Sequence, residues 1–194
     1  MEIDKKKVYT IGDYTFTNYI CLSDNLIRQV LEWRNHEEVR RWMYNSDFIP
    51  YESHIKYIQS LCTREDAYYW LVSYQGEPVG AVSLTSTDIV ESTGELGYYM
   101  RPDYINTGDG LPFVYQMFAF AIDCLHINSL YGAVNENNRM AYLIDCFIGC
   151  ETIGMKEKNG YRYYELNLSP DMFHANREDK QNVIKFAKFI KANK

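Results

Sequence analysis

Glu95-Leu-Gly-Tyr-Tyr-Met100 is the clearest strand signal in the chain, because it is rich in aromatic and β-favouring residues and follows a glycine. The loop 101–110 comes next. Residues 112–125 then predict a helix with a proline in its first turn, where the missing N–H costs nothing. The first turn of a helix has free N–H groups and a partial positive charge. Strand, glycine-bearing loop and helix N-terminus together therefore form a candidate anion site.

The candidate phosphate ligands are the backbone N–H groups near the end of this loop. Gly108 and Gly110 permit a close approach of the backbone to a ligand. The groups concerned belong to Asn106, Thr107, Gly108, Asp109, Gly110 and Leu111. The alternative is a glycine-bearing turn between a strand and a helix that binds no ligand.

Further strands and helices surround this block. The pattern predicts a strand or hairpin over 8–22, helices from residue 24, over 37–44 and over 51–61, and strands over 68–74, 78–85 and 130–134. A helix then opens at 135–138, and strands over 151–158 and 161–168 flank Asn159-Gly160, a strong hairpin cue because both residues tolerate positive φ. This order indicates one layered α+β domain over residues 1–168.

Residues 169–194 predict a C-terminal helical extension that packs on the same domain. Its apolar residues recur at helical spacing, which is typical of one buried face. They are Val183, Phe186, Phe189 and Ile190. Whether this helix also forms a homodimer contact stays open.

Composition narrows the possible partners. The net charge of -6 and the pI of about 5.3 argue against a nucleic-acid groove. The N-terminal residues are charged and no apolar run approaches membrane-spanning length, so we expect a cytoplasmic protein without membrane contact. Five cysteines are widely spaced. Cys146 and Cys150 lack a partner pair of His or Cys, so we expect no metal and buried reduced thiols.

Four segments resemble the GCN5-related N-acetyltransferase (GNAT) superfamily. The strand Gly80-Ala-Val-Ser-Leu-Thr85, with strand 95–100, resembles the central strands of that family. Gly108-Asp-Gly110 resembles the end of its pyrophosphate loop, and Asn138-Arg-Met-Ala141 resembles the segment that contacts the pantetheine arm. The resemblance implies a central twisted, mostly antiparallel mixed sheet flanked by helices, and acetyl-coenzyme A as the acyl donor. It also implies that Leu96, Gly97 and Tyr98 pair their main chain with pantetheine.

The front half resembles a narrower group, the acetyltransferases of pseudaminic acid biosynthesis. The matching segments are Leu31-Glu-Trp-Arg-Asn-His36, Trp42-Met-Tyr44 and Ser53-His54. This resemblance implies acetylation of the 4-amino group of a UDP-linked amino-dideoxy sugar, held by Arg34, His54, Thr85 and Tyr99. Arg34 could bind a diphosphate and Tyr99 could stack on uracil. The alternatives are a helix-end salt bridge for Arg34 and a capping role for His54.

Two departures from the family pattern affect the predicted cofactor loop. Ile105 stands where Gln or Arg is usual in the family. Asp109 lies between the glycines, where a carboxylate would repel phosphates unless it serves as an ordinary helix N-cap.

Acetyl transfer by direct attack needs a base for the ammonium and a proton for the leaving thiolate. Glu95 is the leading base candidate, with a solvated position on the sheet face as its alternative. Ser83 could act through a held water, as the resemblance implies. Asp145 stands where the family often has a tyrosine acid, and a carboxyl is a poor donor at neutral pH unless it is buried. Tyr142 is the nearby substitute, with core packing as its alternative role.

Other functions remain open on the sequence alone. A GNAT acetyltransferase acting on another small-molecule, ribosomal-protein or peptide amine would share the fold, and the acidic charge would suit a cationic acceptor. A coenzyme-A-binding module without catalysis is the alternative from another class, because Ile105 and Asp145 depart from the family pattern.

Overall fold

A computed structural model of the protein describes residues 3–105 and 107–192, so the predicted ligand Asn106 lies outside the described residues. The strands are β1 Tyr9–Ile11, β2 Tyr14–Asn18, β3 Ala67–Tyr74, β4 Glu77–Asp88, β5 Thr93–Met100, β6 Ser129–Asn135, β7 Glu151–Lys158 and β8 Tyr161–Leu168. The helices are α1 Asp24–Asn35, α2 Glu37–Arg40, α3 Tyr51–Ser60, α4 Gly110–Ala119, α5 Arg139–Ile148, α6 Pro170–His174 and α7 Arg177–Ala192. A π-helical segment, Phe120–Cys124, continues α4.

The eight strands form one mixed sheet in the order β1-β2-β3-β4-β5-β6-β8-β7. Every neighbouring pair is antiparallel except β5 with β6, so the predicted α+β class and mostly antiparallel sheet are confirmed. The β7–β8 hairpin turns at Asn159 and Gly160, whose φ angles of 54° and 77° are the positive pair that a two-residue turn requires.

The parallel pair β5–β6 is short, and the sheet opens where it ends. Its three rungs are Thr93 with Ser129, Gly94 with Leu130, and Glu95 with Tyr131. Beyond them β5 continues to pair with β4 alone and β6 with β8 alone. The sheet therefore splits into a V that opens toward the loop before α4, because that loop follows the end of β5.

The two faces of the sheet bury separate apolar clusters. In β3, Trp70 and Val72 face the cluster that contains α4, whereas Leu71 faces the cluster with α1 and α3. This alternation follows from the period of two in a strand, and it explains why β3 reads as a continuous apolar run. Helix α4 is buried along most of its length, including Phe113 and Met117. The core thus fixes both arms of the V.

The second predicted helix is shorter than expected. It ends at Arg40 and not at Tyr44, because the chain tightens into turns where Trp42 N–H and Met43 N–H bond to carbonyls three residues earlier. Trp42, Met43 and Tyr44 instead lie in a loop that lines the opening of the sheet.

The apolar stripe predicted to pack α7 onto the domain faces outward. Val183, Phe186 and Phe189 are 45%, 65% and 63% exposed, while the side chain of Ile190 lies outside the described part. Packing uses another stripe, in which Ile184 is buried and the Gln181 amide lies 3.5 Å from the Tyr115 hydroxyl. The assignment of the packing face was wrong, because helical spacing does not say which of two stripes meets the core.

The prediction of buried thiols holds only in part. All five cysteines are free, and Cys150 is buried, but Cys21 and Cys62 are exposed. Cys21 ends a short 3-10 helix, where its thiol donates to the Lys5 carbonyl at 3.5 Å, and Cys62 follows α3 in a surface connection. None of the helices in the described ranges combines the length and the apolar composition that crossing a bilayer demands.

Candidate active site

The opened strands enclose a cleft of about 790 Å³. Its walls come from the two arms of the sheet, from α5, and from α1, α3 and the loop after α2. The predicted site residues that line it are Arg34, His54, Ser83, Thr85, Glu95, Leu96, Gly97, Tyr98, Tyr99, Asn138 and Asp145. The predicted residues Thr107, Gly108, Asp109, Gly110, Leu111 and Tyr142 are not part of this lining.

One edge of β5 is open inside the cleft. The main chain of Leu96, Gly97 and Tyr98 pairs with β4 on one side, and no strand of the described residues pairs with it on the other. An open strand edge can hydrogen-bond an extended chain that carries amide groups. This edge therefore fits an arm such as pantetheine.

Asp145, which is buried, and Tyr98, which is half-buried, form a pair on the floor of the cleft. Asp145 projects from α5 and is 3% exposed, and the Tyr98 hydroxyl donates to its Oδ1 at 2.5 Å. Burial raises the pKa of Asp145 to about 7, although the Tyr98 bond opposes that rise. Burial, with Asp145 as a neighbour, also raises the pKa of Tyr98 well above its usual range. Asp145 can therefore hold a proton near neutral pH.

Glu95 lies at the point where β5 and β6 separate. It is half-buried, and it sits opposite Thr85 on the neighbouring strand β4. Ser83 is two residues from Thr85, and its Oγ donates to the Gly97 carbonyl at 3.3 Å. The two base candidates thus share one end of the cleft.

Tyr142 points elsewhere. Its ring stacks on Tyr164 with centroids 4.2 Å apart, and its hydroxyl lies 3.0 Å from Thr152 Oγ1. These contacts agree with the packing alternative. Asp145, one turn further along α5, is the residue of the two that faces the cleft.

The loop before α4 has a carboxylate that is already paired. Asp109 occupies the N-cap position of α4 but makes no side-chain capping bond. Its Oδ2 instead accepts from Thr107 Oγ1 at 2.7 Å and from Lys191 Nζ. These bonds lower the pKa of Asp109 below its usual value against the opposing effect of burial. Gly108 has a φ of +91° and open space around it.

Asn138 has a structural task at the start of α5. Its Oδ1 accepts from the Ala141 N–H at 3.4 Å, which is the bond of an N-cap residue. The residue also lines the cleft. Its side chain thus fixes the helix that presents Asp145 to the cleft.

Arg34 and His54 are neighbours at the end of the cleft that Tyr19 and Tyr99 line. The guanidinium of Arg34 is bonded through Nη2 to the Asn45 carbonyl at 2.7 Å, and its Nη1 is buried without a partner among the described residues. His54 is 8% exposed, and its Nε2 is likewise unbonded within the described ranges. Burial, followed by the nearby Arg34, lowers the pKa of His54, so this imidazole is neutral at pH 7.

Tyrosines surround this end of the cleft. The Tyr99 hydroxyl lies 3.1 Å from the Tyr19 hydroxyl and bonds to the Val30 carbonyl. Burial raises the pKa of Tyr99 to about 12. Tyr57 donates to Tyr69 at 3.0 Å on the same wall. The predicted contact Tyr99 is thus held between the sheet and α1.

Tyr44 lines the cleft, although the sequence predicted no catalytic or binding role for it. Its ring lies 4.9 Å from that of Tyr163 and 4.0 Å from Lys158 Nζ, and its carbonyl accepts from Asn159 at 2.8 Å. It therefore bridges the loop after α2 to the β7–β8 hairpin. Burial and the neighbouring Glu95 carboxylate raise the pKa of Tyr44. The only sequence signal was its place in Trp42-Met-Tyr44.

Sequence comparisons identify the family. The profile described as "Acetyltransferase (GNAT) domain" matches residues 21–142, well over half of the chain. Acetyltransferase PseH of Campylobacter jejuni strain 81-176 is 25% identical over 124 residues, which cover 64% of this chain and 76% of that protein. PseH of strain NCTC 11168 is 27% identical over the same shares of the two chains.

Structural comparisons show the same fold at lower identity. The crystal structure of Campylobacter jejuni N-acetyltransferase PseH in complex with acetyl coenzyme A superposes with a TM-score of 0.64 and 16% identity, over 81% of this chain and 99% of that one. Spermidine N-acetyltransferase from Vibrio cholerae in complex with CoA and spermine superposes with a TM-score of 0.73 and 12% identity, over 83% of this chain and 98% of that one. The open β5 edge fits the cofactor that this fold uses. The chain belongs to the GNAT acetyltransferase family and is an N-acetyltransferase whose acyl donor is acetyl-coenzyme A.

Proposed function

We propose that the protein acetylates the 4-amino group of a UDP-linked amino-dideoxy sugar by direct attack of the amine on the thioester. The observation that carries this proposal is Arg34. Its guanidinium lines the acceptor end of the cleft, one of its nitrogens is buried without a partner, and no acidic side chain of the described residues pairs with it. The sequence resemblance to the pseudaminic acid acetyltransferases supports the same acceptor.

An unpaired, partly buried guanidinium favours an anionic ligand. A buried donor without a partner costs free energy, and a phosphate oxygen would satisfy it with a charge-assisted bond. His54 offers a second unbonded nitrogen nearby, and its neutral imidazole can donate to a nucleotide oxygen. A diphosphate-bearing acceptor would use both groups.

The charges of the cleft disfavour a polyamine acceptor. Its acidic lining residues, within the described ranges, are Glu95, where β5 and β6 separate, and Asp145, which is bonded to the Tyr98 hydroxyl. The basic lining residues are Arg34 and Lys158. Several ammonium groups would therefore meet the Arg34 cation at the acceptor end and would find few carboxylates to bind.

Three residues of the cleft lining, Glu95, Ser83 and Asp145, take part in the proton transfers of the reaction. Glu95 removes a proton from the acceptor ammonium, and Ser83 is placed beside it to hold a bridging water. Once it has bonded to the carbonyl carbon, the nitrogen loses its second surplus proton to water in the cleft. As the carbon–sulfur bond breaks, Asp145 gives its proton to the leaving thiolate. Its pKa of about 7 allows this at neutral pH. No covalent bond to the protein is needed.

A thiol-release assay with purified protein and acetyl-coenzyme A tests the acceptor. We expect release with a UDP-linked 4-amino-4,6-dideoxy sugar, and competitive inhibition by UDP. Spermidine serves as the matched amine without a nucleotide. Faster acetylation of spermidine, insensitive to UDP, would overturn the nucleotide-sugar assignment while leaving acetyl transfer intact.

A further inference from the structure

Helix α7 runs antiparallel to α4, because its two ends are bonded to opposite ends of α4 and its continuation. At one end, Arg177 Nη2 bonds to Asp123 Oδ2 at 3.0 Å, in the segment that continues α4. At the other end, Lys191 Nζ bonds to Asp109, which is the N-cap of α4. A helix of this length spans about 24 Å, which matches α4 with its continuation. The last turn of α7 is thus fixed beside the loop 107–111.

The ion pair with Lys191 engages Asp109, the carboxylate that departs from the family pattern. Asp109 stands between Gly108 and Gly110, where an ionised side chain would repel a phosphate. Its Oδ2 is bonded to Thr107 and to Lys191, so the negative charge is matched by a positive one. The Lys188 ammonium is close enough to favour the ionised form of Asp109 further.

We propose that Lys191 is a positioning residue for acetyl-coenzyme A: by neutralising Asp109 it lets the loop 107–111 accept the diphosphate of the cofactor. Lys191 acts through Asp109 and need not touch the cofactor. The helix α7 is then part of the cofactor site, although 82 residues separate the two partners of the ion pair. This inference rests on the family's cofactor and not on the proposed acceptor.

The proposal makes the role of Lys191 conditional on Asp109. Replacing Lys191 by Met leaves an uncompensated carboxylate next to the diphosphate, so affinity falls. Replacing Asp109 by Asn removes the charge that Lys191 offsets, so the lysine becomes dispensable. Because both side chains are partly exposed, we expect the loss in Lys191→Met to be about threefold to tenfold.

Calorimetric titration with coenzyme A tests this in the full-length chain. The variants are Lys191→Met, Asp109→Asn and the double variant, with Lys191→Arg as the conservative rescue. Lys185→Met is the matched control, because it removes an exposed charge from the same helix. Thermal unfolding midpoints verify that each variant is folded, and 3′-dephospho-coenzyme A serves as a second ligand.

The expected result is a raised Kd in Lys191→Met, with both ligands, and a Kd near that of Asp109→Asn in the double variant. Arginine at position 191 should restore binding. A Kd in Lys191→Met equal to that in Lys185→Met would overturn the proposal. So would a double variant as weak as Lys191→Met, or a deficit that disappears with 3′-dephospho-coenzyme A, since Lys191 would then act on the ligand directly.

Discussion

The Tyr98 hydroxyl lies 2.5 Å from Oδ1 of Asp145 and joins β5 to α5 across the floor of the cleft. Burial raises the pKa of Asp145 to about 7, and the bond from Tyr98 holds that rise in check. The pair therefore keeps a carboxyl group balanced between its two protonation states near neutral pH. A proton donor is most effective under that condition.

Replacing Tyr98 by Phe should move the pH dependence of catalysis. The hydroxyl stabilises the carboxylate form, so its loss raises the pKa of Asp145 further. Because the donor must be protonated, the alkaline limb of kcat against pH should shift upward by about half a unit or more. Tyr164→Phe, which alters a tyrosine outside the cleft lining, is the control and should leave the limb in place. If the alkaline limb of kcat against pH does not move in Tyr98→Phe, Asp145 is not the general acid.

Asp145 should also make stability depend on pH. Its pKa is near 4 in the unfolded chain and about 7 in the folded one, so the folded state binds more protons between these values. The free energy of unfolding should therefore fall as pH rises from about 4 to about 7, by up to about 4 kcal/mol from this group, and then level off. Urea unfolding of wild type and Asp145→Asn across this range measures the difference. A constant difference between the two proteins would mean that Asp145 stays ionised throughout.

Local sequence signals predicted most of the fold. The turn at Asn159-Gly160 and the helix beginning near Pro112 were recognisable because short-range backbone preferences decide them. The end of α2 was not recognisable, because Trp42 and Met43 continue the apolar spacing of a helix. In the structure these two side chains line the cleft and do not pack in the core. Apolar spacing reports that a side chain avoids water, but not which surface it meets.

The candidate site shows the same division. Residues near one another in the sequence, such as Ser83 and Thr85, could be placed together from the strand pattern and the resemblance. The environment of Asp145 could not, because its pKa depends on Tyr98 and on burial by residues far away in the sequence. The ion pair between Asp109 and Lys191 could not be predicted from the sequence either, because it depends on how α7 packs against α4.

Arg34 provides the sharpest test of acceptor chemistry. Replacing it by Met should weaken UDP binding by about tenfold or more, because one charge-assisted contact to a phosphate is lost. Lysine at this position should recover only part of the affinity, since it cannot bind two oxygens in a fork. Arg28→Met is the matched control: Arg28 lies on the same helix and covers the Tyr51 ring at 3.9 Å. Calorimetry with UDP gives the comparison, and equal affinities in the two methionine variants would contradict an Arg34–phosphate contact.

Gly149 should be the least replaceable glycine at a turn. It ends α5 with a φ of +120°, and an added Cβ would lie 2.8 Å from the Met172 carbonyl oxygen. Alanine there must both adopt a strained backbone and displace a neighbouring main chain, so we expect a loss of at least about 2 kcal/mol in the free energy of unfolding. Gly160 is the control, because its φ is +77° but no atom lies within 4 Å of an added Cβ. Gly160→Ala should therefore cost only about 1 kcal/mol from backbone strain. Chemical denaturation of both variants measures the two losses, and equal losses would show that the contact between α5 and α6 yields without cost.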